Sequence, residues 1–330
     1  MDPRAAGDRR TVLKAVLAAL GALPLAALGQ RDGRPLKLAL LLPADVHFEK
    51  AFREQLAKLG YVEGRNLVVD RRSADSDFSR LPALAAELLR GQPDILAAFV
   101  TQASIAASKA TSSVPVVFVA VSDPVASGLV TNLARPGGNV TGTAALQAVV
   151  VGKQFELLRE IVPGASRVVT LWNSSNAVFQ AQALGGARAA AESLRMRLIV
   201  AEVRKVADIE PALARAASER PDAAVVLPDP LLVTNARHIA ELFAARRLPA
   251  VGSGRNYAEA GLLASYGPDL AEAARRAADV VHRIAQGKPP GEIPIEVIGK
   301  FERVVNLRTA AALGITVPPA VLARADDVVR

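Results

Sequence analysis

Cysteine is absent from the 330 residues. That excludes disulfides, thiolate zinc sites, iron–sulfur clusters, a cysteine nucleophile and a lipidated cysteine anchor. Histidine is scarce: His47, His238 and His282 are far apart in sequence. A histidine-based metal site or a Ser–His–Asp triad therefore has few ways to be assembled. Aromatic residues make up 4% of the chain, so its core must be built from Ala, Val and Leu. GxGxxG, Walker A, HExxH and GxSxG patterns are all missing, which removes the common nucleotide, zinc-protease and serine-hydrolase signatures. No cofactor is expected.

Apolar residues form 51% and charged residues 22% of the chain, the balance of a globular protein. The net charge is +8. Its basic residues are interleaved with acidic ones, as in Arg188, Glu192, Arg195 and Arg197. This reads as a solvated surface rather than a nucleic-acid patch.

The first 29 residues read as an export signal. Arg9-Arg10-Thr11-Val12-Leu13-Lys14 has the look of a twin-arginine motif, and an uncharged stretch from Ala15 to Gly29 follows. That stretch is shorter than the ~20 residues needed to cross a bilayer. Ala27-Leu28-Gly29 offers small residues for cleavage before Gln30. The expected product is periplasmic and soluble, neither a lipoprotein nor membrane-spanning.

Beyond residue 35 the chain alternates strand and helix. Apolar runs at Leu36–Leu42, Ile95–Val100 and Val116–Val121, with a shorter strand at Leu67–Val69, are separated by helical patterns at Phe48–Leu59, Phe78–Arg90 and Gln102–Thr111. Such alternation predicts a parallel sheet covered by helices on both faces. Arg135-Pro136-Gly137-Gly138-Asn139 interrupts the rhythm, which then restarts with helix Lys153–Val162 and strand Arg167–Trp172 and continues to strand Ala250–Val251. The expectation is an α/β protein of two similar lobes, 36–142 and 143–265. A returning tail, 266–330, would place its helix 270–286 on the first lobe.

Ligands of open parallel sheets bind beyond the C-terminal strand ends, where helix N-termini offer free N–H groups. The residues expected there are Thr101, Gln102, Ser122, Asp123, Trp172, Asn173, Asn176, Asp229, Tyr266 and Asp269. They form a recognition set of hydroxyls, amides, carboxylates and aromatics, with no catalytic constellation. Thr101 can also cap a helix starting at Gln102, and Asp123, ahead of Pro124, can also form a turn. As a binding residue, Asp123 would face a ligand ammonium while Thr101 and nearby N–H groups face a carboxylate.

Several segments resemble a known family. Leu59-Gly60-Tyr61-Val62-Glu63-Gly64-Arg65-Asn66-Leu67, Asp123-Pro124-Val125, Leu133 through Gly142 (LARPGGNVTG) and Tyr266-Gly267-Pro268-Asp269 are similar to the ABC transporter substrate-binding family that includes tryptophan/tyrosine-type receptors. The resemblance spans roughly residues 36–328. It implies a type I periplasmic binding fold with two Rossmann-like lobes, about three hinge crossovers and a cleft holding a small, amino-acid-like ligand. It also implies an ABC permease in the inner membrane as partner. This chain departs from the family pattern at Gln102, where proline is frequent. A solute receptor is the leading reading. A periplasmic sensor without transport is the alternative, and an exported α/β enzyme comes third.

Overall fold

The computed structural model describes residues 34–145 and 148–330, so the export segment lies outside the described residues. Strand β1 (Leu36–Leu42) is buried at every position but one, as a parallel strand covered on both faces must be. Around it lie β2 (Leu67–Ser73), β3 (Ile95–Phe99), β4 (Val116–Val121) and β5 (Val140–Ala144). With β11 (Glu296–Val297) they form a six-stranded sheet in the order β11-β5-β4-β3-β1-β2, parallel throughout.

The second sheet contains β6 (Arg167–Asn173), β7 (Arg197–Val203), β8 (Ala223–Val226), β9 (Ala250–Gly252), β10 (Ala264–Pro268), β12 (Phe301–Asn306) and β13 (Asp327–Val329). Its order is β13-β12-β10-β9-β8-β6-β7, and β10 with β12 is the antiparallel pair. The two sheets belong to two lobes with separate apolar cores on the faces of each sheet.

In the first lobe, helices α1 (Glu49–Lys58), α2 (Leu81–Arg90) and α3 (Val100–Ala110) connect the strands. Helix α2 buries Leu81, Leu84, Ala85 and Leu88, one face at helical spacing. The second lobe uses α4 (Ala148–Ile161), α5 (Ala177–Ser193), α6 (Ile209–Ala217), α7 (Pro230–Thr234), α8 (Ala236–Ala245) and α9 (Arg255–Ala260). Helix α10 (Leu270–Ala285) packs on α1 and β4 of the first lobe. Its buried face, Ala273, Ala274, Ala277, Ala278, Val280 and Val281, is mostly alanine, which permits close approach. Helices α11 (Leu307–Leu313) and α12 (Pro319–Leu322) close the chain on the second lobe.

The chain passes between the lobes three times: between β5 and α4, between β10 and α10, and between β11 and β12. The tail thus supplies elements to both lobes.

Three local readings differ from the sequence expectation. The Pro-Gly-Gly break leads directly into strand β5, whose Val-Thr-Gly-Thr-Ala is too polar to look like a buried strand. Helix α3 begins at Val100 rather than Gln102, so Thr101 lies inside the helix and does not cap it. The short helix that Pro230 starts and Asp229 caps has no counterpart in the sequence reading.

Two glycines have steric reasons. A Cβ on Gly142, whose φ is +150°, would stand 2.0 Å from the Phe118 carbonyl oxygen of neighbouring β4. A Cβ on Gly267 would stand 2.1 Å from the Ser253 carbonyl oxygen. Both belong to the segments that carry the family resemblance, and in each the missing side chain lets two backbones meet.

Candidate functional site

A cleft opens between the lobes at the C-terminal ends of the strands. Val46, Phe48, Val100, Thr101, Gln102, Ser122 and Leu270 line it from the first lobe. Pro228, Asp229, Pro230, Val233, Ser253 and Asn256 line it from the second. The lining is apolar, with a small set of polar groups, as expected of a site for a small organic ligand.

The first lobe delivers its part at the turn from β3 into α3. Val100 there has φ +55°, a left-handed conformation that is costly for a β-branched residue. The turn points the start of α3 at the cleft. Inside it, the Thr101 hydroxyl oxygen accepts from the Ser122 N–H at 3.3 Å, which pins the ends of β3 and β4 together. The Thr101 hydroxyl hydrogen is left free to donate. Ser122 and Ser253 have no side-chain hydrogen-bond partner within the described residues, so both hydroxyls are available to a ligand.

The second lobe supplies the carboxylate. Asp229 is 2% exposed. Its Oδ1 accepts from Asn173 Nδ2 at 3.0 Å and from the Leu231 N–H at 2.9 Å, and its Oδ2 accepts from Asn176 Nδ2 at 2.7 Å. Burial pushes its pKa above the usual carboxylate range, with the Asn176 and Asn173 amides and backbone N–H groups pulling the other way. Donors from both asparagines and from the first backbone N–H groups of α7 thus hold the carboxylate in place at the edge of the cleft. Tyr257 is fully buried nearby, and its hydroxyl has no partner. Burial first, and the Asp229 charge second, raise its pKa, so it stays a neutral phenol.

Asn173 and Asn176 hold Asp229 rather than face open space. The Asn173 amide oxygen also accepts from the Ser175 N–H and hydroxyl, and its backbone N–H donates to Gln180 Oε1. Gln180 in turn donates to the Pro228 carbonyl at 2.8 Å. Gln102 reaches across from the first lobe and donates to Asn176 Oδ1.

The remaining expected residues go elsewhere. Asp123 is not part of the cleft lining; its Oδ1 accepts from the Val125 and Ala126 N–H groups at 3.0 and 2.9 Å, the geometry of a turn former. Trp172 is half-buried among apolar residues of the second lobe, and its indole N–H donates to the Gln180 carbonyl at 3.3 Å. Tyr266 stacks on Phe301, with rings 5.9 Å apart, and Arg303 lies over its face. Asp269 caps α10 through the Glu272 N–H and pairs with Lys300. Sequence reasoning thus brought Thr101, Gln102, Ser122 and Asp229 to the lining, with Asn173 and Asn176 behind it. Val46 and Phe48 of the apolar lining fall in the stretch Pro43–Phe48 just after the first strand, but neither was chosen, because an apolar residue near a helix start looks like core. Asn256 was legible as the residue just inside α9, after strand β9, but was not chosen.

A family model described as ABC transporter substrate binding protein matches residues 42–329. A tyrosine-binding protein of Clostridioides difficile is 26% identical over 267 residues, covering 80% of this chain and 76% of that protein. A conserved domain protein from Vibrio cholerae, of solved structure, is 30% identical, with a TM-score of 0.82 over 89% of this chain and 100% of its own. The ABC domain from Streptococcus pneumonia, solved in complex with L-Trp, is similar in fold at 24% identity, with a TM-score of 0.81 and the same coverage.

Proposed function

Because the chain belongs to the ABC transporter substrate-binding protein family, we propose that its interlobe cleft captures an aromatic L-amino acid for an ABC importer. Members of this family are solute-binding proteins rather than enzymes, and they work outside the cytoplasmic membrane. Among the described residues no helix is long and apolar enough to cross a membrane. Taken with the export segment read from the sequence, this supports a periplasmic receptor that meets its permease after closing on its ligand.

The observation that carries the ligand class is Asp229: a buried carboxylate at the wall of a cleft that combines apolar side chains with a few polar groups. Its negative charge suits a ligand ammonium. The Thr101 hydroxyl, the free Ser122 and Ser253 hydroxyls and the first N–H groups of α3 suit the ligand carboxylate. Phe48 with Val46, Val100, Pro230 and Val233 suits a flat apolar side chain. The relatives named for tyrosine and L-Trp support this reading.

Calorimetric titration with L-tryptophan, L-tyrosine, L-leucine and N-acetyl-L-tryptophan tests it. At least one of the aromatic amino acids is expected to bind more tightly than leucine. Loss of the ammonium in the N-acetyl compound is expected to weaken binding at least tenfold. Equal binding of L-tryptophan and N-acetyl-L-tryptophan contradicts the assignment.

A further inference from the structure

Asn176 stands at the N-cap of α5, where asparagine ordinarily accepts a hydrogen bond from a backbone N–H of the first turn. Its side chain makes no such cap. Instead the amide is spent twice, with Nδ2 donating to Asp229 Oδ2 and Oδ1 accepting from Gln102 Nε2 of the other lobe. The amide turns its NH2 toward the Asp229 carboxyl and its oxygen toward the first lobe. The first lobe must answer with a donor, and Gln102 supplies one. Gln102 sits in the first turn of α3, and Asn176 directly precedes α5, so the bond spans the opening between rigid elements.

We infer that Gln102 is a closure latch: its bond to Asn176 stabilises the closed lobes and, through Asn176, couples closure to the orientation of Asp229. The inference rests on the cleft being the ligand site. Opening the lobes breaks the Gln102 bond and frees the Asn176 amide to rotate, which loosens one of the donors on Asp229. Closing restores the polarity of the whole chain, from Gln102 through Asn176 to Asp229. Gln102 is therefore a positioning residue whose effect falls on the open–closed equilibrium and on ligand release. One neutral hydrogen bond of this kind shifts such an equilibrium by about fivefold.

The absence of native cysteine makes the test direct. Single cysteines replace the exposed Lys109 of α3 and Arg237 of α8, are spin-labelled, and interlobe distances are measured by double electron–electron resonance without ligand. Gln102→Leu keeps much of the bulk and removes the donor. Gln102→Glu places an acceptor against the Asn176 oxygen. The expected result is a population of longer distances that grows from the parent to Leu to Glu, with unchanged thermal melting. With L-tryptophan or L-tyrosine as probe, stopped-flow dissociation is expected to accelerate about fivefold in Gln102→Leu, with association within twofold. Unchanged distance distributions in both variants overturn the latch. If neither amino acid binds, the proposed ligand class fails, while the ligand-free distances still decide the latch.

Discussion

Asp269 and Lys300, 31 residues apart, are joined twice. The Asp269 N–H donates to the Lys300 carbonyl, and the Lys300 ammonium donates to Asp269 Oδ2, each at 3.0 Å. Asp269 lies where the chain leaves β10 for α10, and Lys300 lies just before β12. The pair ties two of the three interlobe passages side by side, which suits a hinge whose strands must bend together.

Breaking this pair at Asp269 is expected to cost more than breaking it at Lys300. The Asp269 side chain is 6% exposed and also caps α10, whereas Lys300 is 61% exposed. Asp269→Ala is expected to lower stability by about 1–2 kcal/mol, as loss of a helix cap does. Lys300→Ala is expected to cost a few tenths. Urea unfolding of the two variants checks the order; equal losses contradict it.

Acid should destabilise the second lobe through Asp222. This carboxylate accepts from Arg167 Nη2 at 2.7 Å, from the Ser166 hydroxyl at 2.8 Å and from two backbone N–H groups, joining the start of β6 to the approach to β8. The Arg167 guanidinium first, and the Ser166 and backbone donors with it, hold its pKa well below the usual carboxylate range against the cost of burial. A depressed folded-state pKa contributes stability above the unfolded value of about 3.9, and that stability is lost as pH falls further. Asp269, also shifted down, acts in the same direction. Asp222→Asn is expected to be less stable at pH 7 and to lose less stability between about pH 5 and pH 2. Parallel melting curves across that range contradict the assignment.

Gly142→Ala is expected to disrupt the first sheet. The added methyl would sit 2.0 Å from the Phe118 carbonyl oxygen and 2.7 Å from its nitrogen, both backbone atoms that cannot swing away. The loss should reach about 3 kcal/mol or more, beyond a normal single substitution. Gly152→Ala, with nothing within 4 Å of the added atom, serves as the control and should be nearly silent. Similar melting temperatures for both variants contradict the steric account.

Much of the fold was legible in the sequence. Strands buried on both faces announce themselves as continuous apolar runs, and Leu36–Leu42 or Val116–Val121 could hardly be read otherwise. β5 was not legible, because its threonines bury their hydroxyls in bonds to residues distant in sequence: Thr141 donates to the Ile293 carbonyl, and Thr143 accepts from the Ala120 N–H. The antiparallel β12 was legible only as an extended segment, since its partner β10 lies over 30 residues earlier. In the site, position along a strand brought Asp229 to the cleft lining but could not separate it from Asp123. Both follow a strand and precede proline. What distinguishes them is their partners: Asp123 is satisfied by its own turn, while Asp229 is held by two asparagines at and just after the end of β6, a contact that no local pattern encodes.

That distinction is also where the central claim is most exposed to test. Calorimetric titration of Asp229→Asn and Asp123→Ala is carried out with whichever of L-tryptophan and L-tyrosine binds the parent protein. Asp229→Asn preserves shape but removes the charge proposed to face a ligand ammonium. Losing one partner of a buried charged pair typically costs about 2–5 kcal/mol, so affinity should fall about 30-fold or more. Asp123→Ala should lower the melting temperature and leave affinity within a few-fold. The reverse pattern, intact affinity in folded Asp229→Asn and lost affinity in Asp123→Ala, would contradict the account of how this cleft recognises its ligand.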